Sequence, residues 1–150
     1  MLGLAATDPA EAGPEGGLQL PNLRNDACER FVRGPDYERY LRLLETGDAE
    51  ALNLARKLRC CVDGAYSLDL DFALARALVA APEAVALLLD TDFPVRRVCI
   101  VPMIEAPAQD EAAFARRAVA ALRQVPRPTP AVRDCIQRYR AVLEGAPNDP

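Results

Sequence analysis

Few side chains in this sequence could carry chemistry, and the absences narrow the reactions that remain. The chain has no histidine, five cysteines and a single serine, Ser67. Acid–base catalysis by imidazole is therefore excluded, together with every Ser-His or Cys-His nucleophile. The sequence also lacks the G-x-x-x-x-G-K-[ST] and G-x-G-x-x-G patterns that bind phosphates and dinucleotides. We therefore expect a protein that is not an enzyme.

Paired carboxylates could still catalyse hydrolysis, since glycosidases place one acid on each side of the scissile bond. Asp63, Asp69 and Asp71 are clustered in the sequence. On a helix, however, Asp69 and Asp71 would point about 200° apart and could not flank one bond. Ser67 is a natural cap for a helix that starts here, and the two acids would favour its positive end. The cluster therefore predicts a helix start.

The cysteines lack the C-x-x-C spacing of metal sites, so we expect no metal and no cofactor. Structural disulfides fit better and imply an oxidising compartment such as the bacterial periplasm. Reduced, buried cysteines in a cytoplasmic protein are the alternative. Because five is an odd number, at least one cysteine is either a free thiol or paired with a cysteine of another chain. The five positions are Cys28, Cys60, Cys61, Cys99 and Cys135.

The expected faces of the helices suggest which cysteines pair. Cys99 opens a proline-rich loop and Cys135 lies on the apolar stripe of the last helix, so a disulfide between them would fix the loop to that helix. Cys28 and Cys61, both on expected core faces, form the second candidate pair. Adjacent helical residues differ by about 100° in direction, so Cys60 should face solvent or a partner. A lysine one turn earlier makes Cys60 the candidate nucleophile of a thiol redox protein.

The apolar periodicity predicts an all-α fold, a compact single-domain bundle of about six to seven short helices in HEAT-like antiparallel pairs. Residues 1–20 are expected to form a mobile N-terminal tail, 21–145 the helical domain and 146–150 a C-terminal tail. Proline at helix starts and glycine at helix ends support these boundaries. Between 93 and 109, prolines predict a short helical turn followed by a long ordered loop.

Two boundaries in the middle of the chain bear on function. Asp48 is expected to cap a helix that reaches about Val62. The next four residues, 63–66, read as a turn. The stretch from Leu68 to Ala81 then predicts a helix that is apolar on nearly every side, which is typical of a central helix.

Charge limits the partners. The chain carries 18 basic and 22 acidic residues, a net charge of −4, which is the wrong sign for binding nucleic acid. Charged residues interrupt every apolar run, so no membrane span is expected. The arginines near the C-terminus indicate a solvated face that would also suit carboxylates on a protein partner. They are Arg116, Arg117, Arg123, Arg127, Arg133, Arg138 and Arg140.

Two loops are candidates for binding a protein. The 63–66 turn would hold Asp63 and Tyr66 close together. The segment between Pro102 and Pro107 carries Met103, Ile104 and Glu105, and its flanking prolines would reduce the entropy lost on binding. In the alternative interpretation, Met103 and Ile104 fill the core beneath the loop.

Size, helix density, the Ala/Arg-rich composition, the cysteines and the missing catalytic groups resemble the small all-helical immunity proteins of Gram-negative bacteria. These protect a cell from toxins delivered by contact-dependent secretion, such as type VI secretion. The resemblance extends over Asn22 to Gly145 in overall character, and no functional residue is carried over. It implies a cognate toxin as partner, a loop that enters the toxin's active site and, in many such proteins, a homodimer. A cytoplasmic helical adaptor or assembly module is the alternative.

Overall fold

Eight α-helices build the part of the chain that the structure, a computed structural model, describes, namely residues 18–21 and 27–148. No β-strand occurs in those ranges, so the all-α, single-domain prediction is confirmed. None of these helices has the length and apolarity that crossing a membrane requires. They are α1 (Ala27–Val32), α2 (Tyr37–Glu45), α3 (Ala49–Leu58), α4 (Gly64–Ala80), α5 (Pro82–Ala86), α6 (Val95–Val98), α7 (Ala108–Leu122) and α8 (Pro130–Leu143).

The helix predicted to be central, α4, packs against α2, α5, α6 and α7. Its leucines Leu70, Leu74 and Leu78 are fully buried, because neighbouring helices cover several of its faces. The most extensive contact joins the consecutive helices α7 and α8. Helix α4 contacts four other helices, so its contacts are not confined to one neighbouring helix in the chain.

Local capping follows the sequence closely in two helices. Asp48 accepts a hydrogen bond from the Ala51 N–H at 2.9 Å and begins α3. Thr129 accepts one from the Val132 N–H at 3.3 Å and begins α8, with Pro130 in its first turn. These are the short side-chain oxygens that satisfy free N–H groups at helix starts.

The boundary between α3 and α4 differs from the prediction. α3 ends at Leu58 rather than near Val62, and α4 begins at Gly64 rather than after a turn. Tyr66 therefore lies in the first turn of α4, where its carbonyl accepts a hydrogen bond from the Tyr37 hydroxyl at 2.9 Å. This contact with α2 stabilises an early helix start that local propensity does not indicate.

Parts of the predicted tails contact the domain. Leu18 and Leu20 are half-buried and pack against the core. At the other end, Asn148 hydrogen-bonds to the backbone of Val101 and Met103, so residues up to 148 are held to the fold. Residues 1–17 of the predicted mobile tail, with 22–26 and 149–150, lie outside the described residues.

Candidate functional site

The loop between α6 and α7, residues 99–107, is held by side chains that come from distant parts of the chain. Cys99 lies at disulfide distance from Cys135 of α8, with 5.3 Å between their Cα atoms, as predicted. On the same face of α8, Tyr139 donates its buried hydroxyl to the Ile100 carbonyl at 3.0 Å. Burial raises the pKa of Tyr139, so the hydroxyl stays protonated as a donor. These two contacts fix the start of the loop to the last helix.

Two further side chains fix the middle of the loop. The Asn148 amide accepts from the Val101 N–H at 3.1 Å and donates to the Val101 carbonyl at 3.0 Å. Val101 is fully buried, so this pair of bonds satisfies both of its backbone groups. Arg76 of α4 donates to the Pro102 carbonyl at 2.9 Å and pairs with Glu45 at 2.8 Å. The loop is therefore attached to the C-terminal segment and to the central helix.

Beyond these attachments the loop turns outward at residues 103–105. Met103 is half-buried and packs against the core, as the alternative interpretation expected. Ile104 does not fill the core: it is 67% exposed. Glu105 is exposed and has a φ of +52°, a left-handed conformation that costs a non-glycine residue about 1 kcal/mol. The structure thus presents an apolar and an acidic side chain on a fixed backbone.

The other predicted binding pair, Asp63 and Tyr66, lies at the start of α4. Asp63 occupies the N-cap position but makes no side-chain capping bond, and it is exposed. Tyr66 is 38% exposed, and its ring packs edge-on against Tyr37 at 5.9 Å. Arg76, which binds the loop, lies roughly 15 Å further along the helix axis at 1.5 Å per residue. The 99–107 loop is therefore attached to α4 about three turns after the residues Asp63 and Tyr66 at its start.

A buried charged cluster attaches α6 to α4, and the sequence pattern did not indicate it. Ser67, predicted as a helix cap, lies inside α4, where its hydroxyl accepts a hydrogen bond from Arg97. Asp71, predicted as a favourable charge at the helix start, is only 6% exposed. Its Oδ2 accepts from Arg97 Nε at 2.8 Å. The cluster positions the short helix that leads into the 99–107 loop.

The environment of Asp71 opposes its ionisation. Burial raises the pKa of Asp71, and the hydrogen bond and charge of Arg97 offset part of that rise. Its Oδ1 has no hydrogen-bond partner among the described residues. Asp69, two positions earlier, is exposed. The two acids therefore lie in different environments.

A second exposed apolar residue, Leu87, follows α5 and is 77% exposed. It separates two grooves of about 400 and 390 Å³, and it lines both of them. Leu87 is not among the predicted binding residues. The signal was available in the run Leu87-Leu88-Leu89, because three successive leucines cannot all face one core. Leu88 and Leu89 are buried, and Leu87 is left outside.

The remaining cysteines follow the predicted pattern. Cys28 and Cys61 lie at disulfide distance, with 6.2 Å between their Cα atoms, and connect α1 to the end of α3. Cys60 is exposed and free. Among the described residues, no group of three or more Cys, Asp or Glu side chains is placed to hold a metal ion.

The chain matches no protein-family model, no curated protein and no solved structure. Function must therefore be inferred from the residues and geometry of this chain alone.

Proposed function

We propose that this chain is a non-catalytic binding protein, an immunity protein that neutralises a secreted bacterial toxin by filling its active-site cleft. The observation that carries the proposal is the 99–107 loop, which presents Ile104 on a backbone held by Cys135, Tyr139, Asn148 and Arg76. A loop that is fixed before binding loses little conformational entropy when it binds. Such a loop suits steric inhibition of a preformed cleft.

The exposed side chains of the loop indicate which groups should line the active-site cleft of the toxin. Ile104 is an apolar anchor that would gain most in a closed hydrophobic pocket. Glu105 sets a carboxylate beside it, suited to a basic side chain on the toxin. The net charge of −4 would speed association with a basic partner.

Asp63 and Tyr66 remain predicted contacts with the toxin, in addition to the 99–107 loop. They lie away from the loop, so they would contact the toxin only at the edge of the interface. A protein interface of ordinary size buries about 800 Å² per partner and could include both regions. Contacts at such an edge usually contribute less to affinity than a central anchor.

The two cysteine pairs at disulfide distance support an oxidising compartment, and we propose the periplasm. A cytoplasmic adaptor would instead keep its five thiols reduced. The mass of the native protein before and after reduction separates the two, because each disulfide accounts for about 2 Da. Two disulfides and one free thiol are expected, and five free thiols would contradict the periplasmic location.

The function is tested with the protein encoded by the neighbouring reading frame. That protein is secreted into the periplasm of a host cell, alone or together with this chain, and growth is measured. We expect the neighbour alone to stop growth and this chain to restore it. Ile104→Asp should abolish the rescue, because it would bury a charge in the cleft.

Leu143→Asp is the matched control. Leu143 is also an exposed apolar residue, 38% exposed at the end of α8, and it is not part of the packed core. This variant should rescue growth as the wild type does. A neighbour that is harmless, or an Ile104→Asp variant that protects fully, would contradict the proposed function.

A further inference from the structure

A sharp turn after α8 directs the chain back towards the 99–107 loop. Gly145 makes this turn with a φ of +91°, a left-handed conformation that favours glycine. The Ala146 N–H then donates to the Ala141 carbonyl at 2.9 Å and closes the end of the helix. Residues 146–148, which follow the turn, are called the C-terminal strap below.

The strap is attached mainly at its far end. Ala146 and Pro147 are exposed, whereas Asn148 is half-buried and makes the hydrogen bonds to Val101 described above. A cleft of about 160 Å³ lies between the strap and α8. Segments with few buried apolar contacts open locally, at a free energy well below that of global unfolding. The strap is therefore able to open once Asn148 releases the loop, while the helices stay packed.

The same cleft borders the disulfide that fixes the start of the loop. Cys99 lines the cleft together with all three residues of the strap, yet it is only 4% exposed. Its partner Cys135 is fully buried. Cys28 and Cys61, in contrast, are both half-buried. The two cysteine pairs thus differ in their access to solvent, and the strap lies beside the less accessible pair.

We propose that the C-terminal strap is a cover that controls reduction of the Cys99–Cys135 disulfide, and that the attachment of the 99–107 loop to α8 is therefore redox-sensitive. While the strap is closed, a thiolate from solvent reaches neither sulfur. Opening of the strap exposes Cys99 first, because Cys135 faces the interior. Tyr139 and Arg76 do not depend on the disulfide, so the reduced loop loses one attachment while the domain stays folded.

The reductant in this step is a dithiol. One of its thiolates attacks the Sγ of Cys99, the S–S bond breaks, and the electron pair of that bond goes to the Cys135 sulfur. The second thiolate then attacks the mixed disulfide and releases Cys99. The protein disulfide is thereby reduced to two thiols, which take up the two protons of the dithiol, and the dithiol is oxidised to a cyclic disulfide. The step requires the disulfide but no toxin.

The test follows reduction of the native protein by dithiothreitol over time, with an iodoacetamide quench and peptide mapping of the alkylated cysteines. In the wild type, the Cys28–Cys61 disulfide should be reduced first and the Cys99–Cys135 disulfide much more slowly. Asn148→Ala should speed reduction of Cys99–Cys135 about tenfold, because the hydrogen bonds that hold the strap are lost. The rate for Cys28–Cys61, the internal reference, should not change.

Two glycine variants provide a matched pair. Gly145→Ala adds a Cβ that meets nothing within 4 Å, so it acts only by straining the turn at positive φ that directs the strap. It should also speed reduction of Cys99–Cys135. Gly64→Ala, at the start of α4, introduces the same kind of strain at a φ of +50° and again meets nothing within 4 Å. It should leave the rate for Cys99–Cys135 unchanged, because the strap is intact.

Urea distinguishes local opening from global unfolding. Well below the unfolding transition, the reduction rate of Cys99–Cys135 should hardly depend on urea, because opening the strap exposes little surface. A rate that rises as steeply with urea as the unfolding equilibrium would overturn the proposal. So would an Asn148→Ala variant with the wild-type rate, or a Gly64→Ala variant that accelerates as much as Gly145→Ala. A native protein that lacks the Cys99–Cys135 disulfide would overturn it as well.

Discussion

Ile104 and Leu87, the two most exposed large apolar side chains among the described residues, lie on segments that are held in different ways. The turn after Leu87 is closed by hydrogen bonds between its own residues, and Asp92 within it is also bound by Arg59 and Arg56 from the end of α3, at 2.8 and 2.9 Å. Thr91 donates its hydroxyl to the Leu87 carbonyl at 2.8 Å, and the Asp90 N–H donates to the Phe93 carbonyl at 2.7 Å. Bonds of this kind form whenever the local sequence takes up the turn.

The 99–107 loop is held by side chains from several distant positions in the sequence. Cys135, Tyr139 and Asn148 hold it from 36, 39 and 47 positions away, and Arg76 holds it from 26 positions on the other side. Contacts at such separations form only when the helices have assembled. The shape of the loop therefore depends on the assembled domain, whereas the Leu87 turn combines local hydrogen bonds with contacts from the end of α3.

Removal of the Cys99–Cys135 disulfide should have the largest effect on the 99–107 loop relative to the Leu87 turn. The double variant Cys99→Ala with Cys135→Ala should lower the free energy of unfolding by about 4 kcal/mol. Amide hydrogen exchange should rise selectively in residues 99–107, because their attachment to α8 is lost. Exchange in residues 87–93 should rise only as far as the global loss of stability requires. Chemical denaturation and exchange mass spectrometry measure the two effects.

The other disulfide provides a matched control. Cys28→Ala with Cys61→Ala opens a link of similar sequence separation, 33 against 36 positions. The loss of unfolding free energy should be comparable on chain entropy. The 99–107 loop should keep its selective protection in this variant. Equal effects of the two double variants on the loop would contradict its attachment to α8.

The inward position of Cys135 could be predicted from the sequence, because helical spacing alone places it on the apolar stripe of the last helix. The same reasoning predicted the Thr129 cap, the Asp48 cap and the exposed Cys60. These features depend on helix geometry and short-range hydrogen bonds, which one sequence encodes directly. The proline-bracketed loop was predicted for the same reason.

Other features depend on contacts between distant residues, which periodicity does not encode. Asp71 was expected to act as a charge at a helix start, but it is buried and pairs with the partly buried Arg97 of α6. Asn148 was assigned to a tail, although its amide matches both backbone groups of Val101. The start of α4 was misplaced because Tyr37, on another helix, supports it.

Loss of the Tyr139 hydroxyl should have a smaller effect of the same kind on the 99–107 loop. Tyr139→Phe removes the donor to the Ile100 carbonyl and should lower the free energy of unfolding by about 1–2 kcal/mol. Amide hydrogen exchange in residues 99–107 should also rise in this variant. Tyr40→Phe is the control, because Tyr40 also donates a buried hydroxyl, to the Ala51 carbonyl at 2.9 Å. It should cost a similar free energy and leave the loop unchanged. A loop that responds equally to both variants would contradict the assignment.

The smallest expected effect concerns Asp71 and pH. Because burial raises the pKa of Asp71 in the folded state, folding favours its neutral form. Its contribution to stability therefore falls as pH rises through the range between the unfolded and folded pKa. Below that range the carboxyl is protonated in both states and the penalty disappears.

The non-titrating variant Asp71→Asn serves as the reference for this effect. Thermal unfolding of both proteins is measured between pH 7 and pH 4. The wild type should gain stability relative to the variant as pH falls, by a modest amount because Arg97 offsets part of the burial effect. A difference that is constant with pH, or that shrinks on acidification, would contradict the raised pKa.

The most direct test of the account is a calorimetric titration of the neighbouring gene product with three forms of this chain. We expect the wild type to form a tight one-to-one complex. Ile104→Asp should bind at least roughly a hundredfold more weakly, and Leu143→Asp should bind within about twofold of the wild type. A complex that forms equally well with Ile104→Asp, or no complex with the wild type, would contradict the claim that this protein acts through the fixed 99–107 loop.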